Sequence, residues 1–129
     1  MAFTVEEYAP NPQEYCHLRV AAGLSAKSLQ AAQIGLPNSL YAVCMRDGQK
    51  LIAMGRVVGD GACNFEVVDI AVEPHYQGQE LGKQVMAYID QYLAGAVLPG
   101  SYVSMIADKS RVLSKARLPA GGSSQSGHE

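Results

Sequence analysis

The amino-acid sequence predicts an α+β domain: a mixed, mostly antiparallel sheet flanked by helices. Three observations predict it. Apolar runs at 40–45, 51–58 and 65–72 have strand length and are separated by glycine-bearing turns. The stretch 81–93 repeats its apolar residues at helical spacing. Between the last of those strands and that helix lies a Pro- and Gly-containing loop.

The elements follow in order. Residues Phe3 to Tyr8 alternate enough for a first strand, closed by Ala9-Pro10-Asn11-Pro12. From Gln13 to Ala22, Tyr15, Leu18 and Ala22 fall on one helical face, and Gly23 ends it. Ser25 is the expected cap of a second helix, running to Gln33 and stopped by Gly35 and Pro37. Leu40 to Met45 is a strand, Asp47-Gly48 a hairpin turn and Leu51 to Val58 the returning strand. Gly59-Asp60-Gly61 makes the next turn, and Phe65 to Val72 completes an antiparallel meander. Leu81, Val85, Met86, Ile89 and Leu93 form the apolar face of a third helix, ended by Gly95 and Pro99-Gly100. Tyr102 to Ala107 alternates as a last strand.

A chain of 129 residues makes one domain with a real core. Residues 1–108 are expected to form it, and 109–129 an atypical tail whose Gly/Ser-rich end predicts disorder. The net charge of -2 carries no electrostatic footprint for nucleic acid. No apolar run spans a bilayer, and the N-terminus has no signal-peptide pattern, so no membrane partner and a cytoplasmic location are expected. Cys16, Cys44 and Cys63 are isolated and odd in number, which reads as reduced thiols. No Cys or His pair has metal-ligand spacing, so no metal is expected.

The most informative stretch is Val67-Val68-Asp69-Ile70-Ala71-Val72-Glu73-Pro74-His75-Tyr76-Gln77-Gly78-Gln79-Glu80-Leu81-Gly82-Lys83. A strand leads through a loop into a helix N-terminus, which aims amide donors at one point and suits a phosphate. This stretch resembles the pyrophosphate loop of the GNAT superfamily of N-acetyltransferases, written Gln/Arg-x-x-Gly-x-Gly/Ala in that family. Gln77 and Gly82 match the pattern, and Glu80 stands where its first glycine belongs. The resemblance covers roughly residues 3–108 and implies acetyl-CoA as co-substrate. It implies Gln77, Gly78, Gln79, Glu80, Leu81, Gly82 and Lys83 around the pyrophosphate. The backbone of Ile70, Ala71 and Val72 would hold the pantetheine arm. A Cβ at position 80 obstructs close approach to a phosphate, and a carboxylate there repels one. The other reading is a helix N-terminal acid turned outward, harmless to the ligand.

Glu66 lies where the histone-acetylating branch of the family carries its general base. The alternative is a solvent-facing strand carboxylate. Strict alternation puts Asp69 on the opposite face from Glu66. Tyr76 is expected to pack or hydrogen-bond beside the loop, and His17 and His75 to be incidental.

The family normally continues with another helix, containing a stretch like Phe-Tyr-x-Lys-x-Gly-Phe, and two more strands. No such motif follows Asp108. Codons compatible with Ser110 to Ser123, read one base later, encode PEFYRKLGFQPAA. A frameshifted or missing C-terminal part is therefore expected. The resemblance implies N-acetyl transfer to a small-molecule or terminal amine. Its rival is a truncated, catalytically impaired relative that binds CoA or self-associates. A third reading is a non-enzymatic module using an exposed edge strand. A homo-oligomer is expected from the apolar surface left uncovered.

Overall fold

The computed structural model describes residues 3–105. Among these residues five strands form one sheet in the order β1-β2-β3-β4-β5. They are β1 (Thr4–Glu6), β2 (Tyr41–Asp47), β3 (Lys50–Gly59), β4 (Asn64–Val72) and β5 (Tyr102–Met105). The first four are antiparallel neighbours, and β5 runs parallel to β4. The helices are α1 (Pro12–Ala21), α2 (Leu29–Gly35) and α3 (Leu81–Ala96). This is the α+β architecture expected. The boundary at 108, the tail and the shifted-frame motif lie outside the described residues.

Helices α1 and α2 cover one face of the sheet. Tyr15, Leu18, Ala22, Ala32 and Leu36 pack there on Cys44, Leu51, Met54 and Ala71. Helix α3 covers the other, setting Leu81, Val85, Ile89 and Leu93 on Val43, Ile52, Val57, Phe65 and Val67. Each of these four α3 side chains is almost fully buried, which contributes about 2 kcal/mol apiece. Met86, expected on the same stripe, is only partly buried.

Local chemistry explains the helix ends. Asn11 caps α1 through a full capping box with Glu14, and Pro12 occupies the first turn, where a missing N–H costs nothing. The cap of α2 is Ser28, not Ser25. The reason is that Ser25 is engaged elsewhere: its carbonyl and hydroxyl accept hydrogen bonds from Arg19 at 2.9 Å each. Helix α3 passes through Gly95 and ends at Ala96, before Leu98-Pro99. Between β3 and β4, the Asp60 carboxylate accepts the amides of Ala62, Cys63 and Asn64. Those backbone bonds hold its pKa down at about 2.

The strand β4 departs from alternation. On β3 one residue, Gly55, separates Met54 from Arg56. On β4 two residues, Asp69 and Ile70, separate their partners Ala71 and Val68. The extra residue is a β-bulge, and Asp69 takes a left-handed conformation with φ 62°. Phe65 and Val67 face α3. After the bulge Ile70 and Val72 face α3, while Ala71 faces α1. Asp69 is thereby turned to the α1 side, the side of Glu66. The expectation of opposite faces is corrected: strict alternation would have driven a carboxylate into the apolar core beneath α3, without a partner.

Candidate functional site

The site grows out of the end of β4. Glu73 leaves the strand and closes a 3-10 turn, Pro74–Tyr76, by accepting the His75 amide at 2.7 Å. Tyr76 donates to Asp47 at 2.7 Å and stands edge-on to Phe3, so it anchors the loop to β1 and the β2–β3 turn. Gly78 then adopts φ 87°, and nothing lies within 4 Å of where a Cβ would sit. Glu80 is the N-cap of α3.

Glu80 is left-handed, φ 65° and ψ 24°, and offers no side-chain cap. That backbone conformation favours glycine, the residue the family pattern has there. Its side chain points away into solvent, 70% exposed, with Lys83 Nζ 3.8 Å from its carboxylate. The first-turn amides of α3 have no intrahelical partner and no capping acceptor, so they face out of the helix end as donors. The helix dipole adds a positive potential at the same point.

Eight of the residues read from the sequence line one cavity of about 300 Å³: Ile70, Ala71, Val72, Gln77, Gly78, Glu80, Leu81 and Gly82. Gln79 and Lys83 flank it in the chain without lining it. The strand-side wall of the cavity is formed by Ile70–Val72, and among the described residues β5 pairs β4 from Asn64 to Val67. Past the bulge, Ile70–Val72 form a strand edge opening on the cavity. The Gln77 side-chain amide donates to the Val72 carbonyl at 3.2 Å, bracing the loop against the strand. An uncapped helix end and the open Gly78 on one wall, and the backbone of Ile70–Val72 on the other, fit a phosphate joined to an extended amide-bearing arm. Glu80 is the one lining group that opposes an anion.

A larger cavity of about 690 Å³ lies between α1 and the β2–β3 turn, lined by Glu14, His17, Leu18, Lys50 and Glu73 among others. Its carboxylates are already engaged, Glu14 by Arg46 and Glu73 by His75 and Lys50. It shares none of the loop donors, so size does not make it the better site.

Glu66 faces the α1 side before the bulge, cross-strand from Val58 and Ser104. The structure does not bring it into the cavity lining. Beside it in the sequence, but not foreseen, is a buried ionic cluster. Asp69 accepts from Arg19 Nη1 at 2.5 Å, Arg56 Nε at 2.7 Å and the Tyr15 hydroxyl at 2.9 Å. The Arg19 and Asp69 side chains are each 5% exposed. Arg56 also donates to Ser39 Oγ at 2.9 Å and lies 5.6 Å from the Tyr15 ring centroid. Burial, reinforced by the Asp69 charge, pushes the Tyr15 hydroxyl up to about 12. A signal was present: Asp69 and Arg56 are charges flanked by apolar residues inside strands, and buried charges demand partners. Among the described residues no group of three His, Cys, Asp or Glu side chains could hold a metal ion. None of their helices is long and apolar enough to cross a membrane.

A mixed sheet whose fourth strand leads through a loop into an uncapped helix N-terminus is the frame of an acetyltransferase domain of the GNAT type. Residues 37–116 match the family model of the GNAT acetyltransferase domain, and the chain belongs to that family. A Staphylococcus aureus protein of unknown function, titled a probable acetyltransferase, is 45% identical. That match covers 83% of this chain and 80% of the other, with a TM-score of 0.80. A GNAT acetyltransferase from Brucella melitensis, solved with acetyl-CoA, shares the fold at 13% identity and a TM-score of 0.59, covering 83% and 77% of the two chains. A curated relative from Prochlorococcus marinus, an uncharacterized ycf52-like N-acetyltransferase, is 34% identical over 71 residues. The match takes in 52% of this chain and 39% of that relative's length.

Proposed function

We propose that this chain is a GNAT domain that binds acetyl-CoA and is impaired in transferring its acetyl group. The observation that carries the reading is Glu80, a left-handed acid at the mouth of the phosphate cradle. The first-turn amides of α3 and the backbone of Gln77 to Gly82 would hold the pyrophosphate. The edge of Ile70–Val72 would hold the pantetheine arm. Acetyl-CoA supplies an activated thioester for attack by an amine. Glu80 weakens the complex in two ways: its charge opposes the phosphates, and it draws the nearby Lys83 ammonium toward itself.

The test is calorimetric titration of acetyl-CoA into the wild-type chain and Glu80→Gly. The glycine variant is expected to bind about tenfold more tightly, through the loss of one like charge beside the phosphates. Equal dissociation constants would overturn the role of Glu80.

An active N-acetyltransferase for a small-molecule or terminal amine is the second reading, favoured by Glu66. Its place on the α1 face, before the bulge, lets it act as base toward an amine approaching from that side. Thiol release from acetyl-CoA across a panel of amines separates the two readings. Turnover abolished by Glu66→Gln, with CoA affinity retained, would establish the second. Self-association, expected of either form, is checked by sedimentation.

A further inference from the structure

We propose that Asp69 is a positioning residue, which through Arg19 and Arg56 holds the β4 bulge and so sets the Ile70–Val72 edge for the pantetheine arm. This rests on the acetyl-CoA reading above.

The bulge is gripped from both faces. On the α1 face the Asp69 carboxylate has both oxygens occupied, Oδ1 by Arg19 and Oδ2 by Arg56 and Tyr15. The two arginines come from different elements, α1 and β3, and are themselves fixed by Ser25 and Ser39. On the α3 face Ile70 rests over Gly55. A Cβ added there would meet Ile70 Cδ1 and Val85 Cγ1, both at 2.7 Å. The backbone between those two grips has no freedom to slide in register.

The position of the bulge decides what β4 does with its outer edge. Before it, among the described residues, Asn64–Val67 pair with Tyr102–Met105 of β5. After it, Ile70–Val72 line the cavity. A one-residue shift would exchange the faces of Ile70 and Ala71 and reverse which backbone groups point into that cavity. A non-glycine residue in the left-handed region is strained and persists only where its surroundings over-determine it. Here three hydrogen bonds to a buried carboxylate do so, next to the cavity rather than elsewhere in the sheet.

The inference separates two parts of one ligand. CoA uses both the loop and the strand edge. 3′-Phospho-ADP has the pyrophosphate without the pantetheine arm and uses the loop alone. Both are titrated into the full chain and into Asp69→Asn. CoA affinity is expected to fall about tenfold in the variant, since a displaced edge loses aligned contacts. The affinity for 3′-phospho-ADP is expected to stay within about twofold, because the loop is held by Tyr76 and Glu73. A purely structural role would lower both together, or neither. An unchanged ratio in a folded variant would overturn the inference. Arg56→Lys keeps the charge but loses the forked hold on Asp69 and Ser39, and decides the matter if Asp69→Asn does not fold. It is expected to show the same selective loss, about threefold, and an unchanged ratio there is equally fatal. Wild-type chain that binds neither ligand would instead remove the acetyl-CoA reading, and this inference with it.

Discussion

Two acidic residues, Asp69 and Glu80, adopt nearly the same left-handed backbone, φ 62° and 65°, one within strand β4 and the other at the start of α3. Their surroundings could hardly differ more. Asp69 is buried, doubly paired with arginine and hydrogen-bonded to a tyrosine. Glu80 is mostly exposed, and its single ion pair to Lys83 is long. The strain at Asp69 is fixed in place by three partners and gives the strand its change of face. The strain at Glu80 is offset by almost nothing and leaves an exposed acid beside the helix end proposed to hold the pyrophosphate. The same conformation is thus an anchor in one place and a defect in the other.

Breaking the anchor should have the largest effect. Asp69→Ala leaves two guanidinium groups facing each other in a buried site, and is expected to cost about 3–5 kcal/mol in urea unfolding. A loss under about 1 kcal/mol would place the cluster among ordinary surface pairs. Alkaline titration probes the same anchor more gently. The Tyr15 pKa is raised from 10 to about 12 by burial and the Asp69 charge. A raised acid keeps its stabilising contribution below the unfolded pKa and loses it as pH climbs through the folded one. Stability should therefore decline between about pH 10 and 12. Tyr15→Phe should flatten that decline, and identical slopes in the two proteins would show that another group governs it. At the other end, Glu80→Gly relieves the left-handed strain but frees the unfolded chain. The net expectation is a gain of about 0.5–1 kcal/mol, read as a higher urea midpoint. The smallest change is Glu80→Gln, which keeps the strain and removes the charge. Its stability should match wild type within about 0.5 kcal/mol while CoA affinity rises part of the way toward that of the glycine variant. Should the glutamine variant bind as tightly as glycine, charge alone would account for the defect at Glu80.

Much of the fold could be read from the residues because its signals are local. The turns at Gly48 and Gly59–Gly61, the alternation of Phe65 to Val67 and the stripe Leu81, Val85, Ile89, Leu93 each sit within a dozen residues. The cavity lining was readable for the same reason, being one continuous stretch of chain. The Asp69 cluster was not, since its partners lie 50, 54 and 13 residues away and no local pattern joins them. The bulge escaped as well. A period of two continues past an inserted residue only with its phase reversed, and the mostly apolar run Val67 to Val72 hides a phase change. The misplaced cap of α2 has the same origin: Ser25 and Ser28 look alike in sequence, and only the reach of Arg19 tells them apart.

Gly55 makes the cavity answerable to a residue that never touches it. With no side chain on β3 at that point, Val85 and Ile89 settle directly onto the sheet, and α3 lies as low as a backbone permits. The helix behaves as a rigid beam resting on that spot, with its donor-bearing tip about a turn beyond Val85. A single methyl group added at the rest would lift the beam, and the tip would move with it, altering the proposed phosphate cradle from within the core.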